Sequence, residues 1–157
     1  MALVEVGKHS VFKLASFAVL YGLLPINWID LFNPAAPGYH VWLIMMYMAP
    51  FAIVVLMDGL SLLPLALSLG LLASLMNDLF YYPVGDVFFG MKVNVLAWWQ
   101  GQLGFDGLHS IFTFQGGMFS FDVTSMIMGA SVYLRIFIVV FLMYRWSHAT
   151  RKADSSV

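Results

Sequence analysis

Residues 123–146 read VTSMIMGASVYLRIFIVVFLMYRW, a run of 24 residues with two arginines, Arg135 and Arg145, and no acid. A helix rises 1.5 Å per residue, so roughly 20 apolar residues cross a hydrocarbon core of ~30 Å. The run therefore predicts a membrane-spanning helix. Three further apolar runs precede it: Val11 to about Leu31, interrupted near Pro25, then Val41–Met57 and Leu60–Asn77. The second and third meet at Asp58-Gly59, a turn dipeptide. They are expected to form a tight helical hairpin with Pro64 in the first turns of its second arm. The first run follows Lys8 and contains Lys13, a pattern shared with signal peptides, and it is read as a retained span.

The whole chain agrees with these runs. Of its 157 residues 62% are hydrophobic and 10% charged, and the mean hydropathy is +0.89. A soluble domain carries ~45–50% apolar and ~25% charged residues, and a small one leaves about a third of its chain surface in water. The expected class is all-α: a polytopic membrane protein with one transmembrane domain over residues 1–157. Its helices span about 11–31, 41–57, 60–77 and 123–146. An interfacial or re-entrant segment lies between helices 3 and 4, within an outer-side stretch 78–122.

The net charge of −1 excludes a field that would recruit nucleic acid. The absence of cysteine removes disulfides, thiolate metal sites, iron–sulfur clusters and cysteine nucleophiles.

Basic residues set the expected sidedness. Lys8 and Lys13 open the first span, and Arg145, Arg151 and Lys152 close the fourth. Asn27–His40 has no Lys or Arg, and 78–122 has only Lys92 against four Asp. Four spans in the cell membrane with both termini cytoplasmic fit these counts. Trp28, Tyr39 and Trp42, then Tyr81, Tyr82, Trp98 and Trp99, crowd the expected outer boundaries. Tyr144 and Trp146 mark the inner one, as in an aromatic belt.

An internal repeat is visible at an offset of 48. Gly22-Leu23-Leu24 and Asp30-Leu31-Phe32 recur as Gly70-Leu71-Leu72 and Asp78-Leu79-Phe80. Leu14/Leu62 and Ala18/Ala66 also match, eight identities over nineteen positions. The first and third spans then run the same way, a parallel repeat with Asp30 and Asp78 as equivalent outer carboxylates.

The stretch 78–122 is too long for a plain connection and too apolar for a solvated one. Its Asp86, Asp106, His109 and Asp122 are weak candidates for a metal or proton site. The competing readings make them surface groups, members of an ion-pair cluster with Lys92, or helix caps, with Asp122 capping the fourth span. Asp106 and His109 would share a face on a helix, but Gly104 and Gly107 argue against one. A metal site needs three or four ligands. Met45, Met46 and Met48, with Met118, Met126 and Met128, make the chain Met-rich. Thioethers suit Cu(I) and also fill gaps between helices.

Arg135, near the middle of its span, carries an insertion cost of ~2.5–3.5 kcal/mol. It is expected to pair with Asp58, to reach an anionic lipid, or to contact an acid of another subunit. No phosphate loop, nucleophile elbow, His-Glu-x-x-His or haem-type pair of intramembrane histidines occurs. The sequence names no cofactor and no catalytic residue. The first expectation is thus a non-catalytic subunit that scaffolds a larger membrane complex, with lipid and other membrane subunits as partners. The alternatives are a small oligomeric transporter or channel, and a contributor to a metal or proton site in an oxidoreductase complex.

Overall fold

A computed structural model describes residues 8–32, 38–116 and 118–154, with side chains at 10–32, 38–114 and 118–146. Most of the expected loop 33–40 lies outside the described residues, as do the side chains of Lys8, Arg151 and Lys152. Among the described residues about 80% are helical. Helix α1 (Lys8–Tyr21) passes through one π turn (Gly22–Ile26) into α2 (Asn27–Phe32). Then come α3 (Tyr39–Asp58), a 3-10 turn (Leu60–Leu62), α4 (Leu63–Phe89) and the short α5 (Val95–Gln102). Strands β1 (Ser110–Gly116) and β2 (Phe119–Thr124) lead into α6 (Ser125–Asp154). Among the described residues four helical stretches are long and apolar enough to cross a membrane: Ser10–Phe32, Tyr39–Asp58, Leu60–Phe89 and Ser125–Trp146.

Helix α4 is the centre of the bundle. Of its apolar window 56% is buried, against 17–22% for the other three, and α1, α3 and α6 all pack on it. Its inward residues Ala66, Ser68, Gly70, Ala73 and Ser74 are small, which lets neighbouring backbones approach. Gly22 shows how close: a Cβ there would fall on the Ala73 carbonyl. The core cluster Ala18, Phe51, Leu65, Ala66, Leu69 and Ala73 is flanked by Val11, Leu14, Met143 and Trp146. The start of α1 and the end of α6 therefore share one end of the bundle, the terminal end. The turn after Asp58, where Gly59 takes φ 95°, lies there too.

Three prolines sit inside these helices, and each leaves carbonyls without their usual helical donor. At two of them, Pro50 and Pro83, a side chain replaces that donor. Tyr21 Oη donates to the Met46 carbonyl at 3.1 Å, four residues before Pro50. Trp99 Nε1 donates to the Leu79 carbonyl at 2.7 Å, four residues before Pro83. In the π turn around Pro25, Asn27 Nδ2 donates to the carbonyls of Gly22 and Leu23 at 3.2 and 2.9 Å. On helices apolar enough for a bilayer, such carbonyls must find partners inside the protein.

This explains why α4 does not stop at Asn77. It runs through Asp78 and Pro83 to Phe89, where Gly90 at φ 65° returns its N–H to the Asp86 carbonyl. The segment beyond the third long helix starts at Gly90 rather than at residue 78. Asn94 caps α5 by accepting from Ala97 N–H at 3.1 Å, and Trp98 and Trp99 of α5 donate to the Asp78 and Leu79 carbonyls of α4.

The second departure, from the all-α expectation, is the antiparallel hairpin β1–β2, mostly within the stretch 78–122. Phe114 faces Phe121 and Thr113 faces Asp122 across it. β1 packs on the start of α3, with His40 stacked on Phe112 at 5.0 Å. Asp122 therefore lies in β2 and accepts from Thr113 Oγ1 at 2.7 Å instead of capping α6. The free N–H groups that open α6 go elsewhere: Ser125 N to the His109 carbonyl and Met126 N to the Gly107 carbonyl, both 2.8 Å. Ser125, fully buried, ties the same turn down by donating to Gly101 O and accepting from Asp106 N–H.

Candidate functional site

The hairpin end of the bundle carries a polar cluster. Asn27 and Asn77 are buried, and Asn77 Nδ2 donates to Asn27 Oδ1 at 2.7 Å and to Asp30 Oδ2 at 3.2 Å. Tyr47 donates to Asn77 Oδ1, and Tyr39 donates to Asp30 Oδ1 at 2.5 Å. One network thus joins the π turn, α2, α3 and α4.

Arg135 lies beside it. Its Nη1 meets Asp78 Oδ2 at 2.5 Å and donates to Ser74 Oγ at 3.0 Å. Its Nε donates to the Ser131 carbonyl at 3.3 Å, and Nη2 approaches Met128 Sδ at 3.8 Å. The arginine's partner is Asp78, not Asp58. Depth decides this. Arg135 stands ten residues into α6 and Asp78 eleven before the end of α4, so both lie ~15 Å below the hairpin end. Asp58 is exposed in the last turn of α3, at the terminal end.

Asp30 and Asp78, equivalent in the repeat, line one chamber of about 290 Å³. Tyr39, His40, Tyr81, Tyr82, Trp98 and Gln102 complete most of its wall. Tyr82 and Trp98 meet edge to face at 4.4 Å. Below the chamber the Ala18–Phe51–Leu69 core closes the bundle. Several rings expected at a membrane boundary therefore face this interior instead: Tyr39, Tyr81, Tyr82 and Trp98 line the chamber, while Trp28 and Trp42 are exposed.

The remaining sequence candidates do not converge. Asp86, Asp106, His109 and Asp122 are exposed, and among the described residues no three His, Cys, Asp or Glu side chains group to hold a metal ion. Asp106 and His109 are joined through their backbones, His109 N–H to Asp106 O at 3.2 Å, in a turn with Gly107 at φ 60°. The methionines are dispersed: Met48 fills the space beside Gly70, Met128 lines the chamber, and Met45, Met118 and Met126 are exposed. Sequence reasoning did not assign Asn27, Tyr47 and Asn77 of the network, nor Gln102 of the chamber wall. For Asn27 and Asn77 the available signal was scarcity: polar amides within apolar spans are costly and mark functional positions. Comparison with known proteins finds no matching family, no matching curated sequence and no matching solved structure.

Proposed function

We propose that this chain is a multi-pass membrane protein that binds a hydrogen-bonding ligand inside its bundle, in the manner of a small transporter. It would sit in the cell membrane with its terminal end cytoplasmic and its hairpin outside, the sidedness favoured by Lys13 and Arg145 at the terminal end. The observation that carries this reading is the meeting of Asp30 and Asp78 in one chamber walled by tyrosines and an amide. Ionisable groups within apolar spans are costly and mark ligand or ion paths, and a bundle needing only rigidity is served by the apolar packing of its other end.

Binding is tested by melting the full chain in detergent with glycerol, urea and acetamide. Wild type is compared with Asp30→Asn, so that stabilisation by excluded cosolutes, common to all proteins, cancels. The reading expects at least one of these probes to stabilise wild type selectively. Equal shifts in both proteins for all three probes overturn it.

A second reading, a scaffold subunit of a larger membrane complex, is supported by one feature. Phe105, Leu108, Met118 and Phe119 around the hairpin are all more than 70% exposed and ask for a cover of lipid or protein. Mass spectrometry of chains co-purifying with this one tests it; a solitary, monodisperse preparation removes it.

A further inference from the structure

The chamber contains one group that the bundle does not satisfy. Gln102 is 1% exposed, and neither its Nε2 nor its Oε1 has a hydrogen-bond partner. Buried polar side chains are almost always paired, and a carboxamide asks for a donor and an acceptor together. Gln102 closes α5 and lines the chamber wall.

The chamber also has a neighbour. A second cavity of about 350 Å³ shares His40, Leu43, Asp78, Phe112 and Met128 with it, so the two adjoin. This one lies between α3 and α6, which both pack on α4 but scarcely touch each other. Its rim includes Ile44, Phe121 and Ile127, each about half exposed on the apolar flank of the bundle. The polar space thus continues sideways into an apolar slot.

Charge narrows the ligand further. The Arg135 guanidinium is engaged on all three nitrogens, by Asp78, Ser74, the Ser131 carbonyl and Met128 Sδ. Four of its five N–H groups are thereby taken, and its charge is already matched by Asp78, so a phosphate or a carboxylate would meet a cation that is paired. Asp30 and Asp78 add acceptors that disfavour anions and welcome hydroxyl donors.

We infer that the ligand is a single-chain amphiphile with an uncharged, hydroxyl-bearing head. The head reads Gln102 and Asp30 in the chamber, and the chain leaves through the slot between α3 and α6. This rests on the chamber being a ligand site, and it adds that the ligand arrives from the lipid side.

The test uses the full chain in phosphatidylcholine nanodiscs, titrated with radiolabelled monooleoylglycerol and, separately, with glycerol. Monooleoylglycerol is expected to bind once per chain, and neither oleic acid nor oleoyl lysophosphatidic acid should displace it. Gln102→Leu should weaken it about tenfold, the loss of one or two hydrogen bonds, and Ile127→Trp, which fills the slot, should do the same. Gln102→Leu also removes two unpaired polar atoms, so its melting temperature without ligand should match or exceed wild type. Glycerol binding that depends on Gln102, with monooleoylglycerol no tighter and Ile127→Trp silent, overturns the amphiphile and leaves the chamber standing. If monooleoylglycerol does not bind, or binds Gln102→Leu as it binds wild type, the amphiphile proposal falls, and the melting comparison with Asp30→Asn decides separately whether the chamber is a ligand site.

Discussion

The two ends of this bundle are made from runs of similar hydropathy, yet they are held together differently. At the terminal end Ala18, Phe51, Leu65, Ala66, Leu69 and Ala73 pack as an apolar cluster, and buried Ser68 among them bonds within its own helix, to the Pro64 carbonyl. At the hairpin end the same helices, separated by the chamber, are joined by Asn27, Asp30, Tyr39, Tyr47, Asn77 and the Arg135–Asp78 pair. Shape alone fixes the first, and small residues make it tight. Named donors and acceptors fix the second, which leaves volume between them. A polar network is costly when one member is removed, because its partner stays buried. The contrast implies that truncations should be felt most at the hairpin end and crowding most at the terminal end.

The sharpest way to break that contrast is Asp78→Ala. It strands a guanidinium whose side chain is 14% exposed, and losing one member of a buried pair costs ~3–5 kcal/mol. Denaturant titration of the protein in mixed micelles should show this loss. The double variant Asp78→Leu, Arg135→Leu should recover most of it, since an apolar pair of similar volume does as well as a buried ion pair. A double variant no more stable than Asp78→Ala would mean that the pair is not what holds α4 to α6.

Crowding the other device should cost less. Gly22→Ala places a Cβ on the Ala73 carbonyl, a contact with backbone that no side-chain rotation relieves. Overpacking of this kind costs ~1–3 kcal/mol. The same micelle titration measures it, and an effect below ~0.5 kcal/mol would show that α1 and α4 are less tightly apposed.

Smaller again is Trp99→Phe, which removes the donor to the Leu79 carbonyl. With the indole 37% exposed, a loss of about 1 kcal/mol is expected. Pro83→Ala restores an N–H that reaches the same carbonyl, so the tryptophan becomes redundant in that background. A double-mutant cycle should therefore give a coupling comparable to the single effect. Strict additivity would show that Trp99 contributes only by packing.

How much of this was legible in the sequence follows from the same physics. Length and hydropathy located all four long helices, and Asp58-Gly59 gave the turn between the second and third. The end of the third helix was not legible, because Asp78 and Pro83 both look like stops. Each is tolerated only through a distant residue, Arg135 for the charge and Trp99 for the orphaned carbonyl, and a local reading sees neither. The hairpin had a signal that was passed over. Phe119-Ser120-Phe121-Asp122-Val123 alternates with a period of two, and Gly116-Gly117 precedes it, which is strand and turn chemistry. Of the site, the repeat singled out Asp30 and Asp78, but not that they meet. Gln102 lies outside the repeat, and its unpaired carboxamide is visible only once α5 is packed on the bundle.

The smallest expected effect concerns the turn between α5 and the hairpin, where sequence alone raised a metal or proton site. There the chain uses its backbone: His109 O accepts from Ser125 N, Asp106 N donates to Ser125 Oγ, and Gly107 O accepts from Met126 N. The side chains of Asp106 and His109 are exposed. His109→Ala keeps every one of those bonds, so it should change stability by less than ~0.5 kcal/mol, the range of ordinary surface substitutions. Ser125→Ala serves as the contrast, for it removes a buried hydroxyl that bonds Gly101 and Asp106 at once and should cost ~1–3 kcal/mol. Elemental analysis of wild type and His109→Ala supplies a readout that packing does not move. If the histidine variant lost stability together with a bound metal, the turn would belong with the chamber as a working part of the hairpin end. If only the serine variant is impaired, the turn is the cap that seats α6, and the working groups at that end are the ones that α2, α3, α4 and α5 turn inward.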